Sequence, residues 1–128
     1  DPGSSLAECF PARPVTGGTA SAAARSDCAE VVARTDAIVA AAAREWSSAE
    51  DMSGPLDPTR FVADELAAAA LVASPQTLVV AITWYRDMLA SRAIDRAVLR
   101  RVLEHVRVHV ADLPDCQAFL AACEPLLG

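Results

Sequence analysis

The sequence contains neither lysine nor asparagine; its full positive charge is carried by eleven arginines, against seventeen acidic residues and a net charge of −6. A basic footprint is therefore missing, and binding to a nucleic-acid backbone is excluded as the working expectation. The lack of asparagine removes any N-glycosylation acceptor. Lysine and asparagine codons are AT-rich, so their joint absence beside abundant alanine and arginine points to a GC-rich genome. Aromatic residues make up 5% of the chain although 53% of it is hydrophobic. Much of that apolar content is alanine, which favours helix and predicts closely approached helices rather than a bulky core. Glycine and proline cluster in the N-terminal stretch and at short junctions, as a helical bundle requires. Also missing are a glycine-rich phosphate loop, a nucleophile elbow and an HExxH pair, so no catalytic motif is present. That leans the reading away from an enzyme.

At 128 residues the chain fits one domain with a single core. Residues 1–25 carry no period of either kind and read as an irregular arm, and residues 26–128 read as one helical-bundle domain. The segment Thr77 to Ala90 is apolar around most of its circumference, with Leu78, Ile82, Tyr85 and Leu89 on one face and Val80 and Trp84 extending it. A helix of that kind is buried on several sides, and with Arg86 and Asp87 inside it the segment is too short and too charged to span a membrane. It is expected to be the central helix. Around it the pattern predicts a first helix from Ser26 or Asp27 to about Ser48, with Val31, Val32, Thr35, Val39 and Ala42 inward. A second follows from the Asp57–Pro58 start signal to Ala73, and a fourth from Arg96 to Ala111. A short fifth runs from Cys116 to about Cys123. The fold class is all-α, a disulfide-stapled antiparallel bundle of four main helices plus a short C-terminal one.

The disulfide expectation comes from Cys9, Cys28, Cys116 and Cys123, an even set placed near the two ends. The chain opens on Asp1 rather than methionine, which reads as a processed or cut boundary, and together these features favour a secreted or extracytoplasmic setting. On a continuous helix Cys116 and Cys123 stand about 10 Å apart along the axis, too far to bridge. Each is expected to pair with Cys9 or Cys28, closing loops worth on the order of 4 kcal/mol in the chain-entropy picture. The alternative is four reduced cysteines packed as small hydrophobes.

Several residue sets are candidates for binding. His105, His109 and Asp112 recur at helical spacing, so two imidazoles and a carboxylate share a face and form a possible ligand set for a divalent metal or, through one imidazole, for haem. The competing role is a pair of boundary histidines. Glu65 falls on an apolar face with Arg86 as the expected ion-pair partner. Arg92, Arg96, Arg100 and Arg107 form an outward stripe that either docks an acidic partner or is a solvated face. Trp84 and Tyr85 either pack in the core or border a pocket for an apolar ligand. The functional expectation is a non-catalytic helical module that engages another protein, with no cofactor. The alternative is a carrier of a small ligand, haem or metal.

Overall fold

The computed structural model describes residues 20–46 and 57–127, and Cys9 lies outside them. These residues form an all-α structure of five helices: α1 (Ala22–Trp46), α2 (Pro58–Val72), α3 (Pro75–Ser91), α4 (Arg96–His109) and α5 (Pro114–Ala121), followed by a 3₁₀ turn (Glu124–Leu126). Among the described residues no helix is long and apolar enough to cross a membrane.

Local chemistry sets the helix starts. Asp57 accepts from the Thr59 N–H at 2.9 Å and Asp95 from the Ala97 N–H at 2.9 Å, so two carboxylates cap the first turns of α2 and α4. Proline opens α2, α3 and α5, where its missing N–H costs no hydrogen bond. The first helix begins earlier than Ser26: Ser21 Oγ accepts from the Ala24 N–H at 3.0 Å, and the helix starts at Ala22, inside the stretch expected to be irregular. A serine cap thus takes precedence over the Asp27–Glu30 spacing.

The inward face of α1 also differs from expectation. Val31, Thr35, Ile38 and Ala42 are buried, while Val32 is 60% exposed. Steps of four, three and four residues keep one straight stripe over three turns, and Val32 sits about 100° off it. Thr35 is tolerated inside because its hydroxyl donates to the Val31 carbonyl at 2.8 Å.

At the centre of the bundle is α2, not the expected 77–90 helix. Val62, Ala63, Leu66, Ala67, Ala69 and Ala70 are all buried, and α2 touches each of the other four helices. Its contact with α1 is the most extensive in the structure, because alanines let two backbones come close along their length. By contrast α3 buries one side only, Leu78, Ile82, Tyr85 and Leu89. Val80 and Trp84, which the sequence placed at the edge of the buried face, are 59% and 57% exposed. Antiparallel order follows from the cross-contacts. Phe61, early in α2, meets Trp84 and Tyr85, late in α3, and Arg34 and Ile38 in α1 meet His109 and His105 in reverse order in α4.

Among the described residues no disulfide staple forms: Cys28, Cys116 and Cys123 are free thiols, and the expected pairings through Cys9 lie outside the described residues. Cys116 and Cys123 are fully buried members of the core, and Cys123 Sγ donates to the Phe119 carbonyl at 3.6 Å. They behave as small apolar side chains. Burial pushes both thiols up to about 11, which keeps them protonated and unreactive.

Two chain reversals use alanine where glycine is usual. Ala73 and Ala93 have φ of 53° and 59°, and the next residue in each case donates back across the helix end, Ser74 to Ala69 O at 3.1 Å and Ile94 to Leu89 O at 3.0 Å. The bonds complete the helix C-termini, but a Cβ in the left-handed region costs on the order of 1 kcal/mol. Ala73→Gly and Ala93→Gly are each expected to raise stability by up to about 1 kcal/mol, read as a higher denaturant midpoint at unchanged slope. In the folded protein, Cys116 and Cys123 are expected to resist alkylation, and unreduced, denatured material should yield Cys28, Cys116 and Cys123 all alkylated by peptide mass mapping.

Candidate functional site

A polar clamp closes the seam between α1 and α4. Arg34 Nη1 and Nη2 donate to Asp112 Oδ1 and Oδ2 at 2.7 and 2.9 Å, a bidentate pair. Nη1 also reaches the His109 carbonyl at 3.1 Å, and Nη2 reaches Glu30 at 2.9 Å. The guanidinium holds the Asp112 carboxyl down at about 2, chiefly by hydrogen bonding, and the two carboxylates raise Arg34 in turn. The pair is largely exposed, so it contributes orientation more than stability.

One turn of each helix away, His105 Nε2 lies 3.0 Å from the Ile38 carbonyl oxygen. A carbonyl only accepts, so Nε2 carries the proton in that contact. Nδ1 lies 3.6 Å from Glu45. The His105 and His109 rings meet edge to face, centroids 4.7 Å apart. Burial, and secondarily the neighbouring His105, lowers the His109 pKa from its ordinary value.

The structure therefore brings the two predicted imidazoles together but gives Asp112 to Arg34. Among the described residues, no group of three or more His, Cys, Asp or Glu side chains is placed to hold a metal ion. The seam is a packing and charge-pairing device, and the third ligand of the expected set is already engaged.

Glu65 does not receive Arg86. That arginine pairs with Asp87 at 3.0 Å and donates to the Leu126 carbonyl at 3.2 Å. The arginine stripe also divides. Arg92 and Arg96 are exposed at the α3–α4 junction, whereas Arg100 donates to the Leu127 carbonyl and Arg107 pairs with Glu124 at 3.1 Å. The C-terminal turn, which the sequence left as an unremarkable end, draws three arginines from two helices.

On α3 the aromatics form a step from core to surface. Tyr85 is buried, its hydroxyl pushed up to about 12 by burial and by Asp57. Phe61 of α2 makes an edge contact with it at a centroid distance of 4.4 Å. Trp84 then lies over Phe61 at 5.9 Å with its outer side in solvent, and Val80 is exposed one turn earlier on the same helix. Sequence reasoning missed this surface because Val80 and Trp84 look like core residues by type. The available signal was their offset of about 100° or more from the Leu78, Ile82, Tyr85 and Leu89 line. No family model, curated protein or solved structure matches the chain.

The seam predicts a two-step loss of stability in acid. His109 is held below its unfolded value, so the unfolded chain binds the proton first. Its contribution is complete above pH about 6.5 and is lost as the pH falls below that value. Asp112, also held low, contributes above its ordinary value of 3.8 and loses that contribution as the pH falls towards about 2. Denaturant midpoints across pH 8 to 2 are expected to show both steps. His109→Gln should remove the upper one, and Arg34→Gln should remove the lower.

Proposed function

We propose that the chain is a non-catalytic helical binding module that engages another protein through the outer face of α3. The observation that carries this reading is the exposed Val80 and Trp84 pair, two large apolar side chains one turn apart. Trp84 is steadied from beneath by Phe61, so little side-chain freedom is lost when a partner covers it. Rigid aromatic side chains of this kind are the usual energetic anchors of protein interfaces. A surface that merely tolerated apolar residues would have no reason to brace one against the core.

A non-catalytic role is supported by the charge pairing elsewhere. Arg34, Glu30 and Asp112 are joined to one another, and Tyr85 is held in its neutral form. We place the module outside the cytoplasm on the sequence argument alone; the thiols of Cys28, Cys116 and Cys123 add nothing to it. A disulfide-stapled form belongs to that placement only if oxidation repacks the Cys116 and Cys123 region.

The test replaces Val80 with a photo-crosslinking residue in the native host. A discrete adduct with one partner in the extracellular fraction is expected. Adding Trp84→Ser should weaken its formation about tenfold or more, with the denaturant midpoint moved by less than about 1 kcal/mol equivalent. The same probe at Val32, exposed on α1, should not give that adduct. Identical adducts from both positions, or none from Val80, would refute the proposal.

A further inference from the structure

A second binding feature lies where α4, α5 and the C-terminal turn meet, and none of its residues belongs to the α3 surface. It is an open cleft of about 320 Å³. Its floor is Leu103, Leu120 and Leu127, all buried, and its rim is Arg100, Glu104, Arg107 and Glu124. Arg100, Leu103, Glu104 and Arg107 recur at steps of three, one and three, so α4 presents one continuous wall.

The four rim charges cancel in number but not in position. Both carboxylates are drawn to Arg107, Glu124 at 3.1 Å and Glu104 at 3.7 Å. Arg100 has no carboxylate within ion-pair distance among the described residues, and its hydrogen bond goes to the Leu127 carbonyl, at the edge of the leucine floor. A guanidinium carries five N–H donors in a planar fork, so that single bond leaves a face able to receive a second, bidentate acceptor. The cation is also held in place before any ligand arrives, which reduces the ordering cost of binding. An apolar floor beside a pre-positioned arginine that no carboxylate of the described residues neutralises is complementary to a molecule with a carboxylate at one end and a hydrocarbon chain at the other.

We propose that this cleft binds a small amphipathic carboxylate, with Arg100 holding the anionic head and Leu103, Leu120 and Leu127 receiving the chain. The cleft's volume of about 320 Å³ leaves room for a hydrocarbon chain of medium length, for which octanoate serves as the probe. In a chain of net charge −6, long-range attraction does not recruit an anion, so selectivity rests on Arg100 itself.

The experiment titrates the full chain with octanoate while leucine methyl and backbone amide NMR shifts are followed. Saturable shifts at Leu103, Leu120 and Leu127 are expected. Hexanoate should bind about tenfold more weakly, because two buried methylenes are lost. Octylammonium and octanol should also bind at least about tenfold more weakly, because they lack the anion. Arg100→Gln is expected to weaken octanoate about tenfold, and Arg96→Gln, one turn earlier and outside the cleft, should leave it unchanged. Equal binding of octanoate and octylammonium, or an Arg100→Gln variant that is folded by circular dichroism and binds as wild type, would overturn the proposal. Should Arg100→Gln fail to fold, the wild-type protein decides: contacts between the octanoate chain and the methyls of Leu120 and Leu127, with a shifted Arg100 Nε–H, support the site, and their absence removes it.

Discussion

Close approach of α1 to α2 is the constraint from which the remaining packing follows. Ala63, Ala67 and Ala70 of α2 and Val31, Ile38 and Ala42 of α1 are all buried, and alanine side chains allow two backbones to come near each other. A helix with so many alanines lets its neighbours come close while Val62 and Leu66 fill the space between them. It contributes by letting several neighbours reach it at once, and α2 accordingly contacts every other helix. Larger residues along this seam would force the axes apart and cost stability through overpacking. The bulky side chains come from Val62 and Leu66 of α2 and, in greater number, from the surrounding helices, in Leu78, Ile82, Tyr85, Leu99 and Leu120.

Two polar devices complete what the alanine seam begins. On one side, the bidentate Arg34–Asp112 pair joins α1 to the residues just beyond α4, so the two helices are held in register. On the other, Arg86 and Arg100 donate to the consecutive carbonyls of Leu126 and Leu127. Carbonyls at the end of a helical turn otherwise lack partners, and here arginines from α3 and α4 satisfy them and fasten the end of the described chain. The same act positions Arg100 beside the leucine floor, so a structural bond and a binding feature share one side chain.

Once these contacts are in place, the outer face of α3 is left over. Val80 and Trp84 are not needed to fill the core, and Trp84 is nonetheless held by Phe61. An apolar side chain left in solvent gives up burial free energy, and a braced one also gives up rotational freedom. Both losses are recovered only when something covers the face, which is the physical case for a protein partner.

The helices, their capped starts and the all-α class were legible from the sequence. Asp57 and Pro58 start α2 where their pattern predicted, and the Asp95 cap and the prolines that open α3 and α5 follow the same local rules of backbone chemistry. Less legible was the direction each face takes. Val32 and Ile38 have the same chemical character, and only the position of α2 decides that Ile38 is inside. Four cysteines near the chain ends suggested staples because spacing shows which pairs are possible but not what else the core asks of a small apolar residue. For the histidines, periodicity correctly put His105 beside His109, yet Asp112 was claimed by Arg34, which lies 78 residues away in sequence. Local propensity and periodicity act within a turn or two, so the sequence alone determined which segments are helical, although α1 and α5 begin earlier than expected, at Ala22 and Pro114. Competition among distant partners for the same charge, carbonyl or buried space is settled only when the helices pack, and it was the tertiary structure that decided the centre of the bundle, the burial of Cys116 and Cys123 and which large side chains stay at the surface.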